Sequence, residues 1–114
     1  MNTFFIDYHL DTRWKQYATT IARGNGKGNG RTQLSDPHGV VVDQFGQIYV
    51  ADWGNDRVVR WFEGCKEGTV IAGGNGKGRK ANQLNGPINL SLDSQGNIYV
   101  ADYNNDRIEK FEIE

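Results

Sequence analysis

The chain has 114 residues, 37% of them hydrophobic, with 15 glycines, two prolines and a formal net charge of −1. This is enough for one small domain with a thin, sheet-like core and much exposed surface. The near-neutral charge excludes a whole-chain attraction to nucleic acid or anionic lipid. The single Cys65 excludes an intrachain disulfide and a cysteine-cluster zinc site.

In chain order, the opening MNTFFIDYHL lacks a basic segment followed by a long apolar one, so it does not read as a signal peptide. No run of about 18 apolar residues exists to cross a bilayer. The chain as given is expected to be soluble, with no membrane contact, and its compartment is not indicated. The next feature, Ala18-Thr19-Thr20-Ile21-Ala22, is a short run of β-formers that returns as Gly68-Thr69-Val70-Ile71-Ala72. This return is one part of a larger repeat. Slid by 50 residues, the sequence matches itself without a gap, and 20 of the 42 positions from Ile21 to Phe62 are identical to their partners. Chance would give about two or three, so the chain contains a duplication.

Each repeat reads as strands. Val40-Val41-Val42 and Leu90-Ser91-Leu92 form a first, inner strand. The turns Asp43-Gln44-Phe45-Gly46 and Asp93-Ser94-Gln95-Gly96 follow, with an aspartate able to bond the amides ahead of it and a glycine that accepts φ > 0. Ile48-Tyr49-Val50-Ala51 and Ile98-Tyr99-Val100-Ala101 make a second strand. A polar tip at 52–56 and 102–106 leads to a third strand at 57–62 and 107–113. Residues 69–72 make a fourth. Short antiparallel strands with polar tips at this period describe β-propeller blades.

The residues from Pro37 to Val42, Asp43, Gly46, Ile48 to Asp52, and Asn55 to Val58 resemble an NHL repeat. The second copy, Pro87 to Ile108, matches except for Ile88-Asn89 in place of His38-Gly39. The expected fold is therefore all-β, a partial propeller of two four-stranded antiparallel blades. Residues 1–22 would be outer strands of a preceding blade, 23–72 a first blade, and 73–114 a second that lacks its fourth strand within the chain. Two blades do not close a ring of about four to eight. Either the chain is a piece of a longer repeat protein, or copies assemble, with the strand at 18–22 supplying the missing edge.

The recurring sets Asp52, Asn55, Arg57 and Asp102, Asn105, Arg107 flank the tips. An Asp–Arg pair there would staple the turn, and the Asn would take the left-handed position. This structural role is preferred to ligand capture. The glycine-rich 24–30 lacks the Lys-Ser/Thr and helix of a phosphate loop. The two blade connectors carry Arg23, Lys27, Arg31, Lys77, Arg79 and Lys80 against one acid, Asp36. They form a candidate docking face for an acidic peptide or RNA. Trp53 and Tyr103 sit at equivalent tip positions as candidate interface anchors. Trp61 and Phe111 occupy the third strands and should pack between blades. His38 precedes the inner strand and could face a central channel.

The resemblance implies a non-catalytic module that binds protein partners. It also implies an alternative, a propeller enzyme of the amidating-lyase or lactonase type with a channel metal. That alternative needs several inward His, Glu or Asp residues, and the inner strands offer only His38 and Asn89. The expectation is accordingly a scaffold with no enzymatic activity and no cofactor, open to self-assembly into a ring.

Overall fold

The computed structural model describes residues 12–22 and 26–114. Seven strands form two antiparallel sheets. The first joins β1 (Pro37–Val42), β2 (Gln47–Asp52), β3 (Arg57–Phe62) and β4 (Thr69–Gly73) in that order. The second joins β5 (Pro87–Leu92), β6 (Ile98–Asp102) and β7 (Arg107–Phe111). Within each sheet a strand pairs only with its sequence neighbours, so both sheets are simple meanders, the arrangement of propeller blades. Among the described residues no helix is long and apolar enough to cross a membrane.

The alternation of side chains along each strand sorts the residues onto two faces. Tyr49, Ala51, Val58 and Ala72 leave the first sheet on one side. Leu90, Ile98 and Val100 meet them from the second sheet, and Leu84 from the connector that precedes it. These residues form one buried cluster, so the core of the chain is the joint between its blades. Val58, Leu84 and Val100 are fully buried there. The inner strands approach closely where Gly39 faces the next blade. A Cβ on Gly39 would lie 2.8 Å from the Asn89 Cα and 2.9 Å from the Ile88 carbonyl oxygen. Backbone cannot give way there as a flexible side chain could. Gly39→Ala should therefore cost about 1–3 kcal/mol, measured as a lowered urea midpoint with an unchanged slope.

The turns at the far ends of β1 and β5 follow the sequence. Asp43 Oδ1 accepts the amides of Phe45 and Gln47, each at 2.9 Å. Its Oδ2 accepts the Gln47 side chain at 2.8 Å and the Tyr49 hydroxyl at 3.2 Å. Asp93 repeats the pattern with Gln95, Asn97 and Tyr99. Gly46 and Gly96 take φ of 81° and 90°. Desolvation by burial pushes the Asp43 carboxyl up, but the backbone bonds from Gln47 and Phe45 and the side chains of Tyr49 and Gln47 outweigh it. Its pKa falls below the ordinary 3.8. At Asp93 the Asn97 side chain is the main lowering influence, opposed by desolvation. A depressed carboxylate adds stability that is present above its unfolded pKa and lost as pH falls through the folded one. The double variant Asp43→Asn/Asp93→Asn should therefore show a shallower loss of stability below about pH 4 than the parent chain. Urea midpoints measured across the acid range would read this out.

The second sheet has three strands, as expected of a blade without its fourth strand within the chain, and the outer edge of β7 is unpaired among the described residues. Two expectations differ from the structure. Residues 18–22 form no strand; a fourth strand exists only as a partner of a third, and the rest of the preceding blade expected at 1–11 lies outside the described residues. The third strand of the second sheet ends at Phe111 rather than Ile113.

Candidate functional site

β2 and β3 are joined by a single 3₁₀ turn, Trp53–Asn55, and β6 and β7 by Tyr103–Asn105. The connectors at 26–36 and 74–86 arrive at the same ends of the sheets. Buried polar groups knot each connector to its tip. Asp52 is fully buried. Its Oδ1 accepts the Ser35 amide at 2.7 Å, and its Oδ2 accepts Asn55 Nδ2 and Arg57 Nε, both at 2.8 Å. Asn55 also donates to the Gly28 carbonyl at 2.7 Å. Arg57 donates Nη1 to the Asn29 carbonyl at 3.0 Å, and Nη2 to those of Gly30 and Gln33 at 3.1 and 2.8 Å.

The second repeat reproduces this knot. Asp102 accepts the Asn85 amide at 2.6 Å, Asn105 at 2.8 Å and Arg107 Nε at 2.9 Å. Asn105 donates to Gly78, and Arg107 to the carbonyls of Arg79, Lys80 and Gln83. A buried ion pair is tolerable when its remaining donors and acceptors are satisfied. Among the described residues no buried side-chain polar atom lacks a partner. These six residues are thus occupied by the fold, with little capacity left for a ligand. The left-handed position falls on Asp56 and Asp106, at φ 52° and 51°, rather than on the preceding Asn. The Asn amide is held by Asp52 and the Gly28 carbonyl, so the reversal passes to the next residue.

Asp56 has a role that the motif did not suggest. Its Oδ1 accepts the Gly86 amide at 2.8 Å, and its carbonyl accepts the Gly74 amide at 3.0 Å. One aspartate thereby latches the first blade to the connector of the second. Its invariance between the two repeats was the available signal, but nothing in the sequence named a partner 30 residues away.

The glycine-rich loops are closed on themselves. The Gly28 amide bonds the Leu34 carbonyl at 3.2 Å and the Gly30 amide bonds Gln33 Oε1 at 3.1 Å. Gln33 and Gln83 press against Gly28 and Gly78, where a Cβ would collide with them. Backbone amides engaged in this way cannot cradle a phosphate.

The connector cations divide into two groups. Lys27 Nζ lies 3.2 Å from Asp36, and Arg31 lies 4.0 Å from Glu67 on the β3–β4 loop. Lys77, Arg79 and Lys80 are exposed, with no carboxylate in ion-pair range among the described residues. Arg23 lies outside the described residues. Trp53 keeps 37% of its surface exposed and Tyr103 61%. His38 packs on Trp53, with ring centroids 5.5 Å apart. The indole nitrogen of Trp53 lies beside Gly86, on the second connector. Trp53 therefore sits at the foot of the Lys77–Arg79–Lys80 connector. On the third strands, Trp61 is almost completely buried and Phe111 half-buried. Among the described residues no three His, Cys, Asp or Glu side chains converge as metal ligands.

A family model described as the NHL repeat matches residues 34–61 and again residues 84–111. The chain carries two tandem NHL repeats. Each match runs from the leucine under the connector to the end of the third strand. It therefore spans the Asp–Asn–Arg knot and the three inner strands of the NHL blade. No curated protein matches the chain.

Proposed function

We infer that this NHL-repeat protein is a non-catalytic binding module that docks a protein partner on its connector face. The observation that carries the reading is a contrast between two sets of polar groups. Those of the recurring Asp–Asn–Arg sets are engaged inside the fold. The exposed groups on the same end of the blades include Trp53, Tyr103 and the cations Lys77, Arg79 and Lys80, which, unlike the exposed Lys27 and Arg31, have no carboxylate in ion-pair range among the described residues. Cations on a connector whose far end meets a partly exposed indole suit an acidic peptide segment, which supplies carboxylates for the first and an apolar side chain for the second. NHL repeats commonly mediate protein interaction.

Charge reversal at Lys77, Arg79 and Lys80 together should weaken binding of a glutamate-rich peptide on the order of a hundredfold. It should leave the unfolding midpoint unchanged, because the carbonyls of Arg79 and Lys80, not their side chains, hold the knot. Titration of the peptide at low and high salt would check this. Binding that is indifferent to both charge reversal and salt would exclude the connector face. A single-stranded RNA titrated in parallel separates the RNA reading from the peptide reading, as RNA binding would need bases stacked on Trp53 or Tyr103.

The metal-dependent alternative makes a different demand. A propeller lyase or lactonase would unfold earlier, or lose activity, when its metal is removed. For a scaffold, dialysis against a chelator should leave the thermal midpoint where it was.

A further inference from the structure

The sequence holds four Asn–Gly pairs, at 25–26, 29–30, 75–76 and 85–86. Such a pair carries its own chemistry. The backbone nitrogen of the glycine can attack the side-chain amide carbon of the asparagine, because glycine has no Cβ to obstruct the approach. The N–Cγ bond forms and the Cγ–Nδ2 bond breaks. Nδ2 leaves as ammonia, taking the proton of the glycine amide, and a cyclic imide remains. One water molecule then opens the ring at either carbonyl and leaves an aspartate or an isoaspartate. No oxidant or reductant is needed. In a folded chain the rate depends on whether the glycine nitrogen is free to meet the asparagine side chain.

The fold treats the three described pairs differently. The Gly30 amide donates to Gln33 Oε1 at 3.1 Å. Gly86 is buried, and its amide donates to Asp56 Oδ1 at 2.8 Å. A Cβ there would lie 2.5 Å from Asn104 Nδ2 and 2.9 Å from Trp53 Nε1, so the surroundings are crowded as well. Both of these nitrogens are occupied. The Gly76 amide has no acceptor among the described residues. Asn75, Gly76 and Lys77 are all exposed, and a Cβ at Gly76 would meet nothing closer than Gln83 Nε2 at 3.7 Å. Asn75 Nδ2 donates to the carbonyls of Asn82 at 2.8 Å and Gly73 at 3.3 Å. These bonds are exposed, and water can take them over while the side chain turns. A captured glycine amide must instead break a bond that is at least partly buried. Asn25 lies outside the described residues.

We propose that Asn75 is a modification site, deamidated in preference to Asn29 and Asn85 because of the fold, and that its product turns down the connector face. The carboxylate that replaces the amide has no N–H to donate. The Asn82 and Gly73 carbonyls therefore lose their partner, and the connector loosens between residues 73 and 82. An isoaspartate also lengthens the main chain there by one methylene. The new negative charge stands on the connector that carries Lys77, Arg79 and Lys80. Where that connector holds an acidic peptide, the charge opposes it. This last consequence rests on the binding reading above, whereas the modification does not. Hydrolysis of the imide runs one way, so the affinity would fall as the chain ages.

The test incubates the full folded chain at mildly alkaline pH and maps its peptides by tandem mass spectrometry, reading the mass gained when an amide becomes a carboxyl. Heavy oxygen taken up from labelled water distinguishes new aspartate from any present at the start. Asn75 should be converted about tenfold faster than Asn29 or Asn85, the factor expected for first releasing one hydrogen bond. In urea the three rates should converge. Asn75→Gln keeps an amide but needs a larger ring, and should stop conversion at this site with circular dichroism unchanged. Conversion at Asn29 or Asn85 that matches Asn75 in the folded chain, or an Asn75 that reacts in urea but not when folded, would overturn the proposal. Asn75→Asp should weaken binding of the glutamate-rich peptide about two- to fivefold at low salt. Unchanged affinity in Asn75→Asp, with the charge reversal at Lys77, Arg79 and Lys80 still effective, would overturn the control of docking alone. Unchanged affinity in both would sink the connector-face reading, and the peptide map would still decide the modification.

Discussion

Arg57→Ala should destabilise the chain by about 3–5 kcal/mol, a large share for a domain whose stability is about 0.05–0.15 kcal/mol per residue. The guanidinium is 7% exposed and the partner carboxylate of Asp52 is not exposed at all. Removing it leaves a buried, unpaired charge and frees three carbonyls of the connector at 29–33. The Asp52 carboxylate would keep Asn55 and the Ser35 amide, which limits the damage but does not neutralise it. Arg107→Ala is the internal control. The bonds are the same, but that side chain is 24% exposed, and water can replace part of what is lost. Its cost should be clearly smaller. Equilibrium urea unfolding of the two variants decides the point, and equal losses would mean that burial is not what gives the knot its weight.

The second large effect is expected at Trp61. The side chain is 1% exposed and is the largest fully buried one among the described residues. It packs against Val59 and the backbone at Gly68, where a Cβ would collide with the ring. Its indole nitrogen holds the Cys65 carbonyl at 2.9 Å. Trp61→Ala combines lost burial with a cavity and should cost about 3–5 kcal/mol. Phe111→Ala, at the equivalent but half-buried position, should cost less. The β3–β4 loop should also loosen, since the indole is its anchor, and faster amide exchange of Cys65 and Gly68 would show it.

The sequence carried the blades because its signals were local. The Asp43 and Asp93 turns, the β-former runs and the 50-residue period each depend on residues near one another, and the strands formed where they pointed. The Asp–Asn–Arg sets were legible as a staple, but the connector that they grip lies 24 to 28 residues earlier, and no local pattern reports such a distance. Asp56 was hidden for the same reason: its partner Gly86 belongs to the next blade. The run at 18–22 shows the opposite failure. Its composition is right for a strand, but a strand also needs a neighbour, and composition does not supply one. The connector charges could be counted in the sequence. Which of them are neutralised depended on Asp36 and Glu67 arriving alongside.

The reading as a whole assigns the repeated polar residues to the fold and the exposed connector groups to binding. Amide and indole chemical-shift mapping of a glutamate-rich peptide on the isotope-labelled chain tests that division most directly. The account predicts shifts concentrated at Lys77, Arg79, Lys80 and the Trp53 indole, with the turns at 43–46 and 93–96 silent. Shifts centred on those turns, or on no part of the connector face, would contradict it.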